Sequence, residues 1–437
     1  MRKIKKQIIT LLSSLLVLAS FSACSFNLLD NSDVMRPPKA TGNKAEIQDC
    51  IEKEAGGTYT LKYPRSGEYR TAIIMKDLTG DGEEESVALY RGSNKTSGIN
   101  VSILDEVDGS WRTLATFSDT SAEIDRVFFC DINGDGKDEV LVGWGNYGVL
   151  PAKLTAYINI NGEYKETKVE QAYTDIAVGN FTGSKSENVI LLTLGSADKT
   201  AKASLVTMND QKDALKIASS VEMRGDVVEF SSVTAGYIDK DTYGVVADGI
   251  AANNFCITQV LYVDKSAGIR NAFGGADTLK RQSGLDSMDI NLDGIIEVPT
   301  YEHLKNDDPS NNDGGTDYVY WNTVDVSKKS LNPSYYTVIN ESGGYMLALD
   351  KEWLSTMTAI TDNAGRTTLY SKGTDEEPNQ KELLAVEVFT DAQWHDFDDK
   401  QSYNEITTVN GVHFVAKITD SQRFTAESVN ERFKLIR

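Results

Sequence analysis

The chain has 437 residues, enough for two or three domains, and carries a formal net charge of -21. That acidity argues against a nucleic-acid backbone as partner. It suits a surface that recruits divalent cations.

Residues 1–23 form a targeting segment. Arg2, Lys3, Lys5 and Lys6 make a basic region, residues 8–19 an apolar one, and Phe21-Ser22-Ala23-Cys24 follows. The apolar stretch is too short for an ordinary transmembrane anchor. Phe21 to Cys24 looks like the lipobox of a bacterial lipoprotein signal. That resemblance implies a lipid on Cys24 and anchoring at the outer, extracellular face of the cell membrane. Residues 24–42 read as a tether, with too few apolar side chains for a core. Residues 44–54 are expected to form a short helix with Ile47 and Ile51 on one face, stopped by Gly56-Gly57. A strand at 59–63 and a turn at 64–67 complete the segment 43–67.

From 68 to 333 one pattern repeats. Asp131, Asn133, Asp135 and Glu139 stand at positions 1, 3, 5 and 9 of a loop between two apolar runs. Four side-chain oxygens, joined by the Lys137 carbonyl at position 7, can converge on one hard cation; calcium takes six to eight oxygens in a flexible shell. Gly134 and Gly136 permit the backbone angles of so tight a loop. Asp77, Thr79, Asp81, Glu83 and Glu85 repeat the pattern, with Thr79 a weaker ligand at position 3. Asp289, Asn291, Asp293, Ile295 and Glu297 repeat it in full, Glu83 and Ile295 offering their position-7 carbonyls. Two further copies, at Asn180-Thr182-Ser184-Asn188 and Tyr237-Asp239-Asp241-Val245, lack the full ligand set and read as metal-dead.

First positions fall at 77, 131, 180, 237 and 289. A period of about 50 residues signals a solenoid or a propeller, and each period holds about four short strands, one propeller blade. The first blade is laid out as strands at 71–75, 86–90, 100–104 and 111–117. The second has strands at 126–130, 140–144, 154–160 and 164–170, with Asn161-Gly162 as a hairpin turn. The third is read at 189–194 and 203–207, the fourth at 243–247 and 257–263, the fifth at 295–299 and 317–323. An acidic segment at 305–315 is expected to be an exposed loop. After Pro333 the period ends. Residues 334–437 read as a small mixed α/β domain with a polar connection at 391–400, a hairpin around Asn410-Gly411 and a final helix at 423–433. The expected fold class is therefore mainly β, a β-propeller of about five blades followed by a small α/β domain.

The loops resemble FG-GAP/VCBS repeats, the family of the integrin alpha-subunit propeller. The resemblance implies structural calcium, two or three ions, held by the residues named above. A lipid Cys, a short helix, acidic repeats and a β-rich C-terminal module together resemble VCBS-containing lipoproteins of Gram-positive gut bacteria. Gly344-Tyr345, Trp353 and a late strand before a terminal helix are similar to the Mog1/PsbP-type sandwich.

Catalytic motifs are missing from the sequence. His303, His395 and His413 share no metal-ligand spacing, and there is no HExxH, Gly-x-Ser-x-Gly, Walker A or dinucleotide fingerprint. Cys50, Cys130 and Cys256 form no closed disulfide framework, and a bridge between Cys130 and Cys256 is left open. Two classes of function remain. One is a non-enzymatic binding or scaffold module for a protein or glycan. The other is a hydrolase or lyase acting on an extracellular polymer, or an accessory subunit for one, with its acids hidden among the loops.

Overall fold

The computed structural model describes residues 43–436 apart from 94–97, 147–148, 253, 275–278, 283, 304–315, 363–364 and 373–379. The targeting segment, Cys24, the tether and the acidic segment at 305–315 lie outside the described residues. The described chain divides into two compact units, one of 43–127, 142–146 and 161–164, the other of 128–141, 149–160 and 165–436.

In the first unit helix α1 (Asn43–Glu54) buries Ile47 and Ile51, as their spacing requires. Both pack with Ala88, Tyr90, Leu104 and Trp111 of the first sheet. The helix ends where Gly56 takes a positive φ of 70° and the Gly57 N–H reaches back to the Glu52 carbonyl. That sheet contains β1 (Tyr59–Leu61), β2 (Ile73–Lys76), β3 (Glu85–Gly92), β4 (Ile99–Val107) and β5 (Ser110–Asp119), in the order β1-β3-β4-β5 with β2 also on β3. Asp108 and Gly109 both adopt positive φ between β4 and β5, the turn that matches the strands' twist.

The second sheet contains β6 (Glu123–Cys130), β7 (Glu139–Asn146), β8 (Val149–Ile160) and β9 (Glu163–Lys168). In the second unit follow the third sheet, β10 (Asp175–Gly179), β11 (Asn188–Thr193), β12 (Lys202–Met208) and β13 (Leu215–Glu222), and the fourth, β14 (Val227–Tyr237), β15 (Tyr243–Ala251), β16 (Phe255–Asp264), β17 (Gly268–Asn271) and β18 (Lys280–Gln282). These sheets are antiparallel meanders, each opening with a hairpin on one of the repeated loops. The sequence reading placed two strands in each of the third and fourth. Among those it missed, β13 is half-exposed: it buries Leu215 but shows Lys216, Ile217 and Ala218 to solvent. Such strands have no apolar run to announce them.

The fifth sheet corrects the expected boundary at 333/334. Strand β21 (Ser330–Asn340) runs straight across it and pairs along β20 (Asp317–Asp325), with β19 (Val298–His303) on the far side of β20. Pro333 faces Asn322 at a register shift, the irregular place where a strand tolerates proline. Strand β22 (Tyr345–Ala348) adds to β21. The sixth sheet, in the order β23-β24-β25-β27-β26, holds β23 (Met357–Thr361), β24 (Thr367–Ser371), β25 (Lys381–Thr390), β26 (Asn404–Val409) and β27 (Val412–Ile418). The expected polar connection after β25 begins with a helix, α2 (Asp391–Asp396), opened by a capping box between Thr390 and Gln393. The final helix α3 (Ala426–Arg432) is shorter than expected, because Phe433 turns extended and β28 (Phe433–Leu435) pairs with β22.

Buried polar side chains recur on the third strand of each meander: Ser102, Ser204 and Thr258. Two of them bond across the sheet, Ser102 to Thr116 and Ser204 to Ser220, both at 2.8 Å. In the fourth sheet the network includes a buried ion pair, Arg281 Nη2 to Asp248 Oδ1 at 2.9 Å, with Thr258 hydrogen-bonded to both partners. Asp248 also accepts the Ser287 N–H, which fixes the segment leading into the loop at Asp289. Cys130 and Cys256 are buried free thiols, so the bridge left open by the sequence does not form.

Candidate metal centre

The repeated loops are one structure built several times. The residue before position 1 pairs with position 9 across the hairpin: Lys76 with Glu85, Gly179 with Asn188, Met288 with Glu297. Position 2 points into the core in all five copies, as Leu78, Ile132, Phe181, Ile238 and Ile290, none more than 5% exposed. Position 9 is buried too, with Glu85 and Glu139 each 2% exposed and Glu297 wholly covered. Its side chain hooks back onto the loop. Glu85, Glu139 and Glu297 accept the backbone N–H of Leu78, Ile132 and Ile290 at 2.6, 3.1 and 3.2 Å.

The other carboxylates are turned onto the turn's own N–H groups. Asp131 accepts from Gly134, Asp135 and Gly136 at 2.6, 3.0 and 2.8 Å. Asp77 accepts from Gly80 and Gly82, and Asp289 from Asp293 and Gly294. The position-5 acids Asp81, Asp135 and Asp293 accept the N–H of Glu83, Lys137 and Ile295 at 2.9, 3.0 and 2.9 Å. The predicted side chains at positions 1, 3, 5 and 9 are thus gathered in one turn in each of the three full loops. Among the described residues, no three His, Cys, Asp or Glu side chains form a group that could hold a metal ion.

Two observations test whether these turns fit a cation. The first is electrostatic. Burial, followed by the charge of Asp135, pushes the Glu139 carboxyl up to about 8. Burial raises Glu297 to about 7, with Asp293 and Asp289 adding to the rise, and burial also raises Glu85. Three acids are crowded where their charged forms disfavour one another. The second is an orphaned oxygen. Asn133 is 6% exposed, and its Oδ1 is buried with no hydrogen-bond partner, while its Nδ2 donates to Asp135 and Glu139. An oxygen donor set of three carboxylates and one amide or hydroxyl, with a spare buried oxygen on Asn133, fits a hard divalent cation.

The other two copies both lack the carboxylate at position 9. At 180 the position-9 residue is Asn188, whose Oδ1 accepts the Thr182 N–H at 3.2 Å, so the hook survives without its charge. Thr182, Ser184 and Ser186 tie their hydroxyls to one another. At 237 the structure corrects the alignment. Gly236 pairs with Gly244 and Tyr237 with Tyr243, so the loop is one residue shorter and the place of the last ligand falls on Gly244, not Val245. A Cβ at 244 would lie 2.4 Å from the Leu261 carbonyl oxygen, which leaves no room for a ligand there. Asp239 caps the shortened turn through the N–H groups of Asp241 and Thr242.

Sequence reasoning missed the ties between loops. The N–H of Glu187, position 8 of its loop, donates to the Asp131 carbonyl at 2.7 Å, and the Ile296 N–H, also position 8, donates to the Tyr237 carbonyl at 2.8 Å. Glu187 also accepts the Asp131 N–H, and Ser334 donates to Glu297. The apolar residue at every position 2 was a legible signal for the loop's inward anchor. The two backbone ties had none, because no side chain makes them.

No family model matches the chain, and no curated protein matches it. Among solved structures it shows a weak, low-identity resemblance to propeller-type folds. The Saccharomyces cerevisiae protein Sqt1 aligns with a TM-score of 0.34 at 8% identity over 82% of this chain and 97% of that one. A protein from Lactobacillus plantarum aligns at 0.30 and 12% over 72% and 84%, and the Dos1 propeller at 0.32 and 11% over 65% and 66%.

Two outcomes follow from the loop geometry. Position 4 is glycine in three hairpins, but in the loop at 289 it is Leu292, 83% exposed with φ of 63°. Leu292→Gly is expected to raise stability by about 1 kcal/mol, the left-handed penalty less glycine's added chain entropy, as read by urea unfolding. A loss of stability would contradict the assigned strain. The second outcome concerns pH in chelator. An acid whose pKa is raised by folding stabilises while protonated; that contribution is complete below its unfolded value near 4.5 and is lost as pH rises through about 8 for Glu139. Glu139→Gln should therefore gain melting temperature relative to the parent as pH is raised from about 5 to 8. A difference that stays flat with pH would remove the electrostatic account.

Proposed function

We propose that the chain is an FG-GAP/VCBS-type β-propeller, stabilised by calcium and anchored by lipid at Cys24 on the outer face of the cell membrane. There it acts as a non-enzymatic binding or scaffold module for a protein or glycan. The observation that carries the calcium part is the matched loss of charge among the copies. Where positions 1 and 5 are acids, position 9 is a buried glutamate; where they are not both acids, position 9 is Asn188 or Gly244. A buried carboxylate beside two others is costly unless something compensates it. A purely structural turn would have no reason to match a glutamate at position 9 to acids at both positions 1 and 5.

In this reading Asp131, Asn133, Asp135, Glu139 and the Lys137 carbonyl hold one ion. Asp289, Asn291, Asp293, Glu297 and the Ile295 carbonyl hold a second. Asp77, Thr79, Asp81, Glu85 and the Glu83 carbonyl hold a third more weakly, since Thr79 offers a hydroxyl where the others offer an amide. Calcium suits a shell rich in carboxylate and carbonyl oxygens, whereas magnesium keeps its waters in an octahedron. No Cys or His stands in these loops, which disfavours zinc. The ion's role is to reverse the sign of the loop's self-repulsion and pin the hairpin.

Calorimetric titration of chelator-treated protein is expected to show two or three calcium equivalents, one fewer in Asp135→Ala and in Asp293→Ala, and no change in Asp241→Ala. Saturation at about one hundred times Kd should add roughly 2.7 kcal/mol of stability. Absence of calcium-dependent heat together with an unmoved melting temperature would end the calcium part of the proposal. The anchor is tested separately by fractionation: Cys24→Ala should move the protein out of the membrane fraction, and retention of that variant there would refute lipidation.

A further inference from the structure

The two loops that lack the full ligand set face a cavity that the repeats do not explain. It has a volume of about 780 Å³ and is bounded by the loops at 180 and 237 and by the turn after β16. That volume lies in the range of small-ligand sites. Three tyrosines line it: Tyr237, Tyr243 and Tyr262. Tyr237 and Tyr243 stand edge to face, with centroids 5.3 Å apart and planes at 88°, so they form two perpendicular walls. Tyr243 is held by the ring of Phe181 at 5.6 Å and fits because residue 179 is glycine; a Cβ there would come within 2.7 Å of the phenol ring. Tyr237 is 49% exposed, a large aromatic surface left open at the end of β14.

The charge of the lining is one-sided. Glu187, Asp241 and Asp264 contribute three carboxylates, against Lys265 alone among the described lining residues; Lys240 reaches Asp241 from beside it at 3.8 Å. Aromatic faces carry negative potential, and carboxylates around them deepen it. This combination repels anions. It also exceeds what a neutral sugar needs, for which one stacking ring and neutral hydrogen-bonding groups suffice.

We propose that this cavity binds an organic ammonium group, with Tyr237 and Tyr243 as two walls of an aromatic cage and Asp241 and Asp264 as the counter-charge. The cavity is larger than a bare ammonium head, so it has room for the chain that bears it, either a small amine or the side chain of a basic peptide. The inference rests on reading the protein as a binding module and is independent of calcium, because neither loop carries a full ligand set.

The test is calorimetric titration of the full chain with tetramethylammonium, with a peptide carrying trimethyllysine, and with the same peptide carrying the neutral carbon isostere. Both cations are expected to bind, the isostere at least tenfold more weakly. Tyr237→Ala should cost tenfold or more in affinity with an unchanged melting temperature, since its ring is half exposed. Tyr237→Phe should retain binding, and Asp241→Asn should weaken it severalfold and flatten its salt dependence. Tighter binding of the peptide than of tetramethylammonium identifies a basic peptide as the source; equal binding identifies a small amine; either supports the cage. An isostere that binds as well as the cation, binding untouched by Tyr237→Ala, or no heat from either cation at millimolar concentration overturns it. Loss of the calcium response with ammonium binding retained fails the calcium part of the proposed function alone, and the reverse fails the cage alone.

Discussion

Four of the five repeated hairpins are held by one contact, the side chain at position 9 reaching back to the N–H of position 2 or 3. A tight turn leaves backbone N–H groups pointing inward, and a buried N–H without a partner costs about as much as a lost hydrogen bond. Glu85, Glu139, Asn188 and Glu297 satisfy that need from the opposite strand. The contact fixes the register between the first two strands and so turns the apolar residue at position 2 into the core. Ile132 packs there with Cys130, Leu141 and Val189 of neighbouring strands. When the hook is a glutamate, the same contact buries a charge, and the Asp at positions 1 and 5 make that charge harder to hold.

The chain answers this constraint in three ways. Three copies keep the acids and gather oxygen donors in a single turn. The copy at 180 exchanges the hook for asparagine, which accepts the same N–H and carries no charge. The copy at 237 removes a residue and the hook together, and Asp239 caps the turn from within. In spite of these differences the backbone contact from position 8 of one loop to position 1 of the previous loop occurs both at 187 to 131 and at 296 to 237. Ligand chemistry and scaffold are therefore separable: a loop can lose its acids and still hold its place, which leaves its surface free to carry Tyr237 and Tyr243.

The C-terminal part follows a different logic. Its strands join the fifth sheet and then build a sixth. Tyr318, Tyr345, Phe414, Phe424 and Leu384 share one core spanning the two. Tyr345 stacks on Phe433 with centroids 5.4 Å apart and meets Phe414 edge-on, so the last residues of the chain are bound into the sheet that begins at Val298. The absence of the loop period after Pro333 marks the end of a sequence motif and not the end of a sheet.

Much of the local structure was legible in the residues themselves. Oxygen side chains at positions 1, 3, 5 and 9, glycines at the turn and apolar runs on both sides specify a strand, a tight loop and a strand, because all of that physics acts within about ten residues. The helix at 43–54 and the turns at Asn161-Gly162 and Asn410-Gly411 were legible for the same reason, since Ile47 and Ile51 share a face and Asn-Gly accepts positive φ. Tertiary structure alone decided the rest. It set the one-residue deletion that puts Gly244 opposite Gly236, the partners of half-exposed strands such as β13, the passage of β21 through Pro333, and the meeting of Tyr237 and Tyr243 across a shortened loop. Each of these depends on which backbone lies alongside which, and backbone pairing leaves no mark in side-chain periodicity.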